Sequence, residues 1–269
     1  MTLITSPANP KIKLIRSLRQ RKQREAAGLY LVEGIHPVGE AVQAGVPLEA
    51  LVYAPELLTS GFARELVQSQ EAAGLPCYLA SAAVFASIAD KENPQGLLAV
   101  ARWRPPRLES LAPANFPWGV GLVSPQDPGN VGAILRTLDA VGASGLLLLE
   151  SSVDPTHPSL VRASMGALFW KPVVQASFAE FQAWAAGLGY TVYGTSAHAS
   201  LDYRQAAAYR RPMILLLGSE RQGLTAEQAA ACAEMIRLPM HGRASSLNLA
   251  VAAGVLLYAM LEKLAPWQP

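Results

Sequence analysis

The chain has 269 residues, 51% hydrophobic and 16% charged, with a formal net charge of +2. This is globular composition with enough apolar residues for two cores or one large one, and it excludes a disordered chain. The longest apolar run, Leu249–Leu261, falls short of the roughly 20 residues that span a bilayer. The basic stretch Lys11–Arg24 lacks the basic-then-apolar order of a signal peptide. Cys77 and Cys232 are too few and too far apart for a disulfide framework or a thiolate metal site, so a reducing cytoplasm is the expected location.

Charge is unevenly placed. Residues 1–25 carry Lys11, Lys13, Arg16, Arg19, Arg21, Lys22 and Arg24 against Glu25 alone, a local charge of +6 on a body of −4. Such a segment can steer toward a polyanion such as nucleic acid; a solvated helix face is the other reading. Ile12, Ile15 and Leu18, with Leu14 adding an i, i+4 contact, predict one amphipathic helix over Asn9–Arg24.

Strands are then expected at Leu29–Glu33, Leu48–Tyr53, Cys77–Ala80 and Gly96–Ala101. Helices are expected around Pro37–Ala44, Phe62–Ala73 and Ala82–Ala89. Together these make an α/β unit of residues 1–104. Pro105, Pro106, Pro113 and Pro117 mark 105–117 as a linker. From Trp118 the pattern becomes apolar strands between helices: Gly119–Ser124, Gly145–Glu150, Pro172–Ala176, Thr191–Thr195, Met213–Gly218 and Met235–Pro239, closed by a helix over Leu247–Leu264. Runs such as Leu146–Leu149 and Ile214–Leu217 suit strands of a parallel sheet covered by helices on both faces, and the second domain is taken as 118–269.

Three strand-to-loop junctions in this half carry polar residues that folding alone does not require. In Ser124-Pro-Gln-Asp-Pro-Gly-Asn130, a turn leads to Asn130, placed to cap the next helix, with Arg136 six residues on. The planar, permanently charged fork of Arg136 suits phosphate, although a cap and a surface salt bridge would also explain the pair. In Ile214-Leu-Leu-Leu-Gly218-Ser219-Glu220-Arg221, a buried strand opens into a glycine turn at its carboxyl end, where open α/β sheets bind ligands. The spacing is not that of a dinucleotide fingerprint. In Leu238-Pro-Met240-His-Gly-Arg-Ala-Ser245-Ser246-Leu247-Asn248, Ser245 or Ser246 is placed to cap the last helix, and Asn248 projects from its first turn.

Together, in this order, the three junctions resemble the signature motifs of the SpoU family of RNA 2′-O-ribose methyltransferases, within the SPOUT superfamily. Leu29-Tyr-Leu-Val-Glu33-Gly34 and Asn93-Pro-Gln-Gly96-Leu-Leu-Ala-Val are similar to the family's N-terminal substrate-binding domain, which has a ribosomal-protein-like fold. The resemblance implies a methyltransferase domain with a C-terminal trefoil knot. It also implies a homodimer whose active site draws on both subunits, and S-adenosylmethionine as cofactor with no metal. By the resemblance, Thr195, Leu217, Gly218, Leu238, Met240 and Leu247 contact the cofactor, and Asn130, Arg136, Glu220, Ser246 and Asn248 are the polar catalytic set. Two positions depart from the family pattern: Arg221 replaces a small residue, and Ser245 stands where an acidic one is common.

The implied reaction is methylation of a ribose 2′-hydroxyl, in ribosomal RNA by analogy with relatives that share the N-terminal domain, or in transfer RNA. A non-catalytic RNA-binding protein on the same fold is the rival, and a nicotinamide-dependent oxidoreductase is disfavoured by the missing early glycine-rich turn. His157, His198 and His241 are scattered and form no acid–base or metal cluster. Arg136 is read as a clamp on the phosphate beside the target ribose rather than as a base. Lys11, Lys13, Arg16, Arg19 and Lys22 are expected to hold RNA through phosphate contacts.

Overall fold

The computed structural model describes residues 2–206 and 208–264. The chain divides into two compact units. The first joins the residues up to Arg104 with Asp154–Trp170, and the second holds Pro105–Val153 and the chain from Lys171 onward. The last five residues of the expected 118–269 domain lie outside the described residues.

In the first unit the elements run α1 (Pro10–Ser17), α2 (Arg21–Ala27), β1 (Leu29–Glu33), α3 (Ile35–Gln43), β2 (Leu48–Tyr53), α4 (Gly61–Ala72), β3 (Cys77–Leu79), α5 (Ala82–Ala86) and β4 (Leu97–Arg102). The sheet order is β1-β4-β2-β3, antiparallel at both β4 edges and parallel between β2 and β3. Ile12, Ile15 and Leu18 are buried against Leu31, Val52, Phe85 and Leu98, as their spacing predicts. Leu14, by contrast, is exposed.

The expected single helix over Asn9–Arg24 is two. Asn9 caps α1, its side chain accepting from Lys11 N at 2.9 Å, and the helix stops at Leu18. Gln20 then adopts an extended backbone before α2. The reason lies in Arg24, which is only 3% exposed. Its Nη1 donates to the carbonyls of Leu18 (2.9 Å) and Arg19 (2.7 Å), which the break frees from the helix. Its Nε donates to Asp154 Oδ2 at 3.0 Å and to Thr156 Oγ1 at 3.3 Å. A buried guanidinium needs such a counter-charge.

Asp154 lies within 118–269, the expected span of the second domain, yet its segment belongs to the first unit. That segment carries α7 (Pro158–Ala163) and α8 (Ala167–Trp170), and buries Leu160 and Val161 in the first unit. Burial alone would raise the Asp154 carboxyl, but hydrogen bonds from Thr156 and Arg24 hold it below its ordinary value. Arg162 pairs with Asp90 in the same unit.

The second unit continues with β5 (Trp118–Val123), α6 (Pro128–Ala140), β6 (Gly145–Leu149), β7 (Val173–Ala176), α9 (Phe178–Gly187), β8 (Thr191–Thr195), β9 (Leu201–Asp202), β10 (Met213–Leu217), α10 (Ala226–Ala230), β11 (Glu234–Arg237) and α11 (Leu249–Glu262). Its sheet is parallel throughout, in the order β7-β6-β5-β10-β8-β11-β9. The fully buried runs of β5, β6 and β10 are what a sheet covered on both faces demands.

Residues 105–117 are not a free linker. Leu108, Leu111 and Phe116 are buried in the second unit's core beside Phe178, Phe181 and Tyr190. Side chains of the core also bind its backbone: Trp184 Nε1 donates to Leu111 O at 3.0 Å, and the Tyr190 hydroxyl to Phe116 O at 2.8 Å.

Candidate active site

Strands β10, β8 and β11 are parallel neighbours, so their carboxyl ends open at one edge of the sheet. That edge is where open α/β sheets hold ligands. A cavity of about 490 Å³ lies there. Thr195 ends β8, Leu217 ends β10 and Gly218 follows it, and Leu238 and Met240 follow β11; with Leu247 all six line the cavity. Glu220 and Ser246 join them at its rim. Ser196, His198 and the inner face of α11, where Leu249, Ala252 and Leu256 complete the wall, join the residues expected from the motifs. α11 is apolar nearly all round, so its sequence carried no signal for which face forms the wall.

The β10 junction is shaped by its glycines. Ser219 N donates to Gly223 O at 3.2 Å and Gly223 N to Ser219 O at 2.9 Å, closing a tight turn with Gly223 at φ 68°. A Cβ on Gly218 would overlap the Gly223 carbonyl carbon and the Leu224 nitrogen. Glu220 and Arg221 stand at the tip of this turn. Glu220 Oε2 accepts from Gln126 N at 3.3 Å, tying the β10 turn to the loop after β5.

At the β5 junction Ser124 takes φ 47°, a left-handed conformation that non-glycine residues seldom adopt. Asp127, not Asn130, caps α6: its Oδ1 accepts from Gly129 N (2.6 Å) and Asn130 N (3.2 Å), with Pro128 at the first helical position. Asn130 is thereby left in the first turn with its amide free to act elsewhere. At the other junction Asn248 itself caps α11, accepting from Ala250 N (2.9 Å) and Val251 N (3.3 Å), so neither Ser245 nor Ser246 is the cap. Asn248 Nδ2 then donates to Asn130 Oδ1 at 2.9 Å.

Arg136 stands apart from this group. It is exposed on α6, and its side chain has no hydrogen-bond or ion-pair partner among the described residues; like Asn130 and Asn248, it is not among the residues lining the cavity. The basic residues of the first unit also separate. Arg16 donates to Ser87 O (3.3 Å) and Oγ (2.7 Å), and Arg19 donates to Ala89 O, so both bind the end of α5. Lys11 lies 4.0 Å over the Tyr78 ring, while Lys13 and Lys22 are exposed and unpaired among the described residues.

His157 caps α7, with Nδ1 accepting from Ser159 N at 3.2 Å, and burial and the Arg24 charge lower its pKa. The Cys232 thiol is pushed up to about 11 by burial and donates to Gln228 O, so it is no nucleophile at neutral pH. Among the described residues no group of three or more His, Cys, Asp or Glu could hold a metal, and no helix is long and apolar enough to cross a membrane.

A parallel α/β sheet with a cleft of mixed polar and apolar lining at its strand ends defines a ligand-binding scaffold. Residues 118–258 match the SpoU rRNA methylase family, and the chain belongs to it. Residues 9–99 match the MRM3-like substrate binding domain. The chain is 34% identical over 256 residues to the 23S rRNA (uridine(2479)-2′-O)-methyltransferase of Streptomyces viridochromogenes, covering 91% of this chain and 87% of that one. It is 30% identical to the 23S rRNA (guanosine(2553)-2′-O)-methyltransferase of Bacillus subtilis, covering 96% and 98%. Among solved structures, an AdoMet-bound rRNA methyltransferase from Sinorhizobium meliloti superposes with a TM-score of 0.88 at 34% identity, over 97% of each chain.

Proposed function

We propose that this protein is an S-adenosylmethionine-dependent methyltransferase acting on a ribose 2′-hydroxyl of ribosomal RNA. The observation that supports this most is the cavity at the ends of β8, β10 and β11 in a member of the SpoU family, with the Asn130–Asn248 amide pair anchored between Leu247 and Leu249 of its lining. The residues present fit the cofactor. The cavity lies within the range for a nucleoside-sized ligand. Leu217, Leu238 and Leu256 offer apolar walls to a base, and the strand ends expose backbone N–H and C=O groups.

When bound, S-adenosylmethionine supplies an electrophilic methyl group; the chain's own residues must place the ribose oxygen in line with it. Asn248 Oδ1 is saturated by the helix end and one of its amide hydrogens by Asn130, which leaves the Asn130 amide hydrogens to hold a ribose oxygen. Arg136, permanently charged, clamps the adjacent phosphate and stabilises negative charge developing on the 2′-oxygen. Glu220 and Ser246 bound the same space from the rim.

Arg136, exposed and without a side-chain partner among the described residues, serves the second subunit of a homodimer in this reading. On α11, Val251 (52% exposed), Val255 and Tyr258 (52% exposed) repeat at i, i+4 and i+7 as an apolar stripe, and α11 packs on α6, which carries Arg136. The non-sequential order β10-β8-β11 suits a C-terminal trefoil knot. The first unit, with Lys11, Lys13 and Lys22, holds folded rRNA in the cytoplasm.

The decisive experiment incubates the purified protein with methyl-labelled S-adenosylmethionine and deproteinised 23S rRNA and maps 2′-O-methylation. One site modified by wild type and lost with Arg136→Ala in a single turnover is expected. No incorporation into any rRNA, or full activity of Arg136→Ala, would sink the proposal or the role of Arg136 respectively.

A further inference from the structure

Two full charges stand at the tip of the β10 turn, and only one of them has a partner. Glu220 accepts a hydrogen bond from the Gln126 backbone. Arg221 lines the cavity with no ion pair or hydrogen bond among the described residues. It is also the one Lys or Arg among the described residues lining that cavity. The turn that carries it is fixed, because the paired Ser219–Gly223 hydrogen bonds and the close approach at Gly218 leave its backbone little freedom.

We infer that Arg221 binds the carboxylate of the methionine moiety of S-adenosylmethionine and so selects the complete amino-acid form of the cofactor. The inference rests on the reading of this cavity as the cofactor site. The cofactor carries two positive groups, the sulfonium and the ammonium, and one negative group. A guanidinium in the same cavity repels the first two and complements only the carboxylate, whose two oxygens match its planar fork. An RNA phosphate is the other oxyanion within the reaction. The cations free for it, Arg136, Lys13 and Lys22, all lie outside the cavity lining, whereas Arg221 shares that lining with Leu217 and Gly218. Arg221 is thus a cofactor-specificity residue, and one of the two departures from the family pattern acquires a role.

The test is calorimetric binding of S-adenosylmethionine and of decarboxylated S-adenosylmethionine to the full chain and to Arg221→Ala and Arg221→Lys. Wild type should bind the decarboxylated analogue about tenfold or more weakly, the size of one charge-assisted contact. Arg221→Ala should bind intact cofactor with that same loss and no longer distinguish the two ligands. Arg221→Lys, keeping charge without the fork, should fall between. Undiminished affinity of Arg221→Ala, or undiminished discrimination by it, overturns the inference. So does a loss confined to filter-binding affinity for 23S rRNA, which would assign Arg221 to phosphate. Wild type that fails to bind S-adenosylmethionine at all would overturn the cavity reading itself, an outcome distinct from these.

Discussion

Asn248 donates from Nδ2 to Asn130 Oδ1 at 2.9 Å across 118 residues of sequence, while its own Oδ1 caps α11. One side chain therefore does two jobs that substitution can separate. Asn248→Asp keeps a good capping oxygen but cannot donate, so Asn130 must turn its amide around. Stability should stay within about 0.5 kcal/mol of wild type, while methyl transfer falls roughly tenfold or more. Asn248→Ala should lose activity and also about 1 kcal/mol of stability with its cap. Thermal melts beside single-turnover assays read both. Equal activity of the aspartate variant would show that the polarity of the contact is immaterial.

Gly218→Ala should open the β10 turn, because backbone atoms of Gly223 and Leu224 occupy the place of its Cβ. A loss of about 1–3 kcal/mol is expected from such overpacking, with cofactor affinity falling further than stability alone explains. Calorimetry at a temperature where the variant remains folded checks this; unchanged binding would remove Gly218 from the site.

The Arg24–Asp154 pair governs the first unit. Asp154→Asn strands a buried guanidinium and should destabilise by about 3–5 kcal/mol. The folded Asp154 carboxyl lies below its unfolded value of about 3.9. Its stabilising contribution is therefore complete above that value and is lost as pH falls through the lower folded pKa. Urea unfolding followed across acid pH should show wild type and Asp154→Asn converging as the medium becomes more acidic. A constant gap between them would contradict the assignment.

Lysines and arginines of the basic segment should behave differently. Lys13→Gln with Lys22→Gln should weaken rRNA binding and flatten its salt dependence by up to about 0.9 per lost duplex phosphate contact. Arg16→Gln should leave the salt slope alone and instead lower stability by about 1–2 kcal/mol, through its bonds to Ser87. Filter binding over a salt series, with parallel melts, distinguishes the two. A reduced slope for Arg16→Gln would return that residue to the RNA surface.

Placing a charge in the α11 stripe should separate subunits. Val255→Glu is expected to sediment as a monomer and to lose methyl transfer while still binding S-adenosylmethionine. A monomeric wild type, or a fully active monomeric variant, would refute a shared active site.

The strands and the three polar junctions were readable in the sequence because their signals are local. Continuous apolar runs such as Met213–Leu217, and glycine, proline and asparagine at their ends, report backbone preferences within a few residues. The six residues expected to meet the cofactor share a motif logic of this kind, and the fold brings them around one cavity. Local patterns could not decide which strands are neighbours. The order β10-β8-β11 is set by hydrogen bonds between segments far apart in sequence, and it alone makes three loops into one site.

Within one loop several residues can cap a helix: Asp127, beside Pro128 at the first helical position, took the α6 cap from Asn130, and Asn248 took that of α11 from the serines. Asp154 joined the first unit because a buried Arg24 required a counter-charge, and that same arginine divided the expected helix. Leu108, Leu111 and Phe116 turned a proline-rich linker into core. At Asn130 and Arg136 the sequence determined the chemistry on offer, an amide and a permanent cation after a strand end. Only the tertiary structure decided that the amide meets Asn248, whose neighbours Leu247 and Leu249 line the cavity, while the cation stands exposed on α6 without a partner among the described residues, since distance between side chains is a property of packing and not of spacing along the chain.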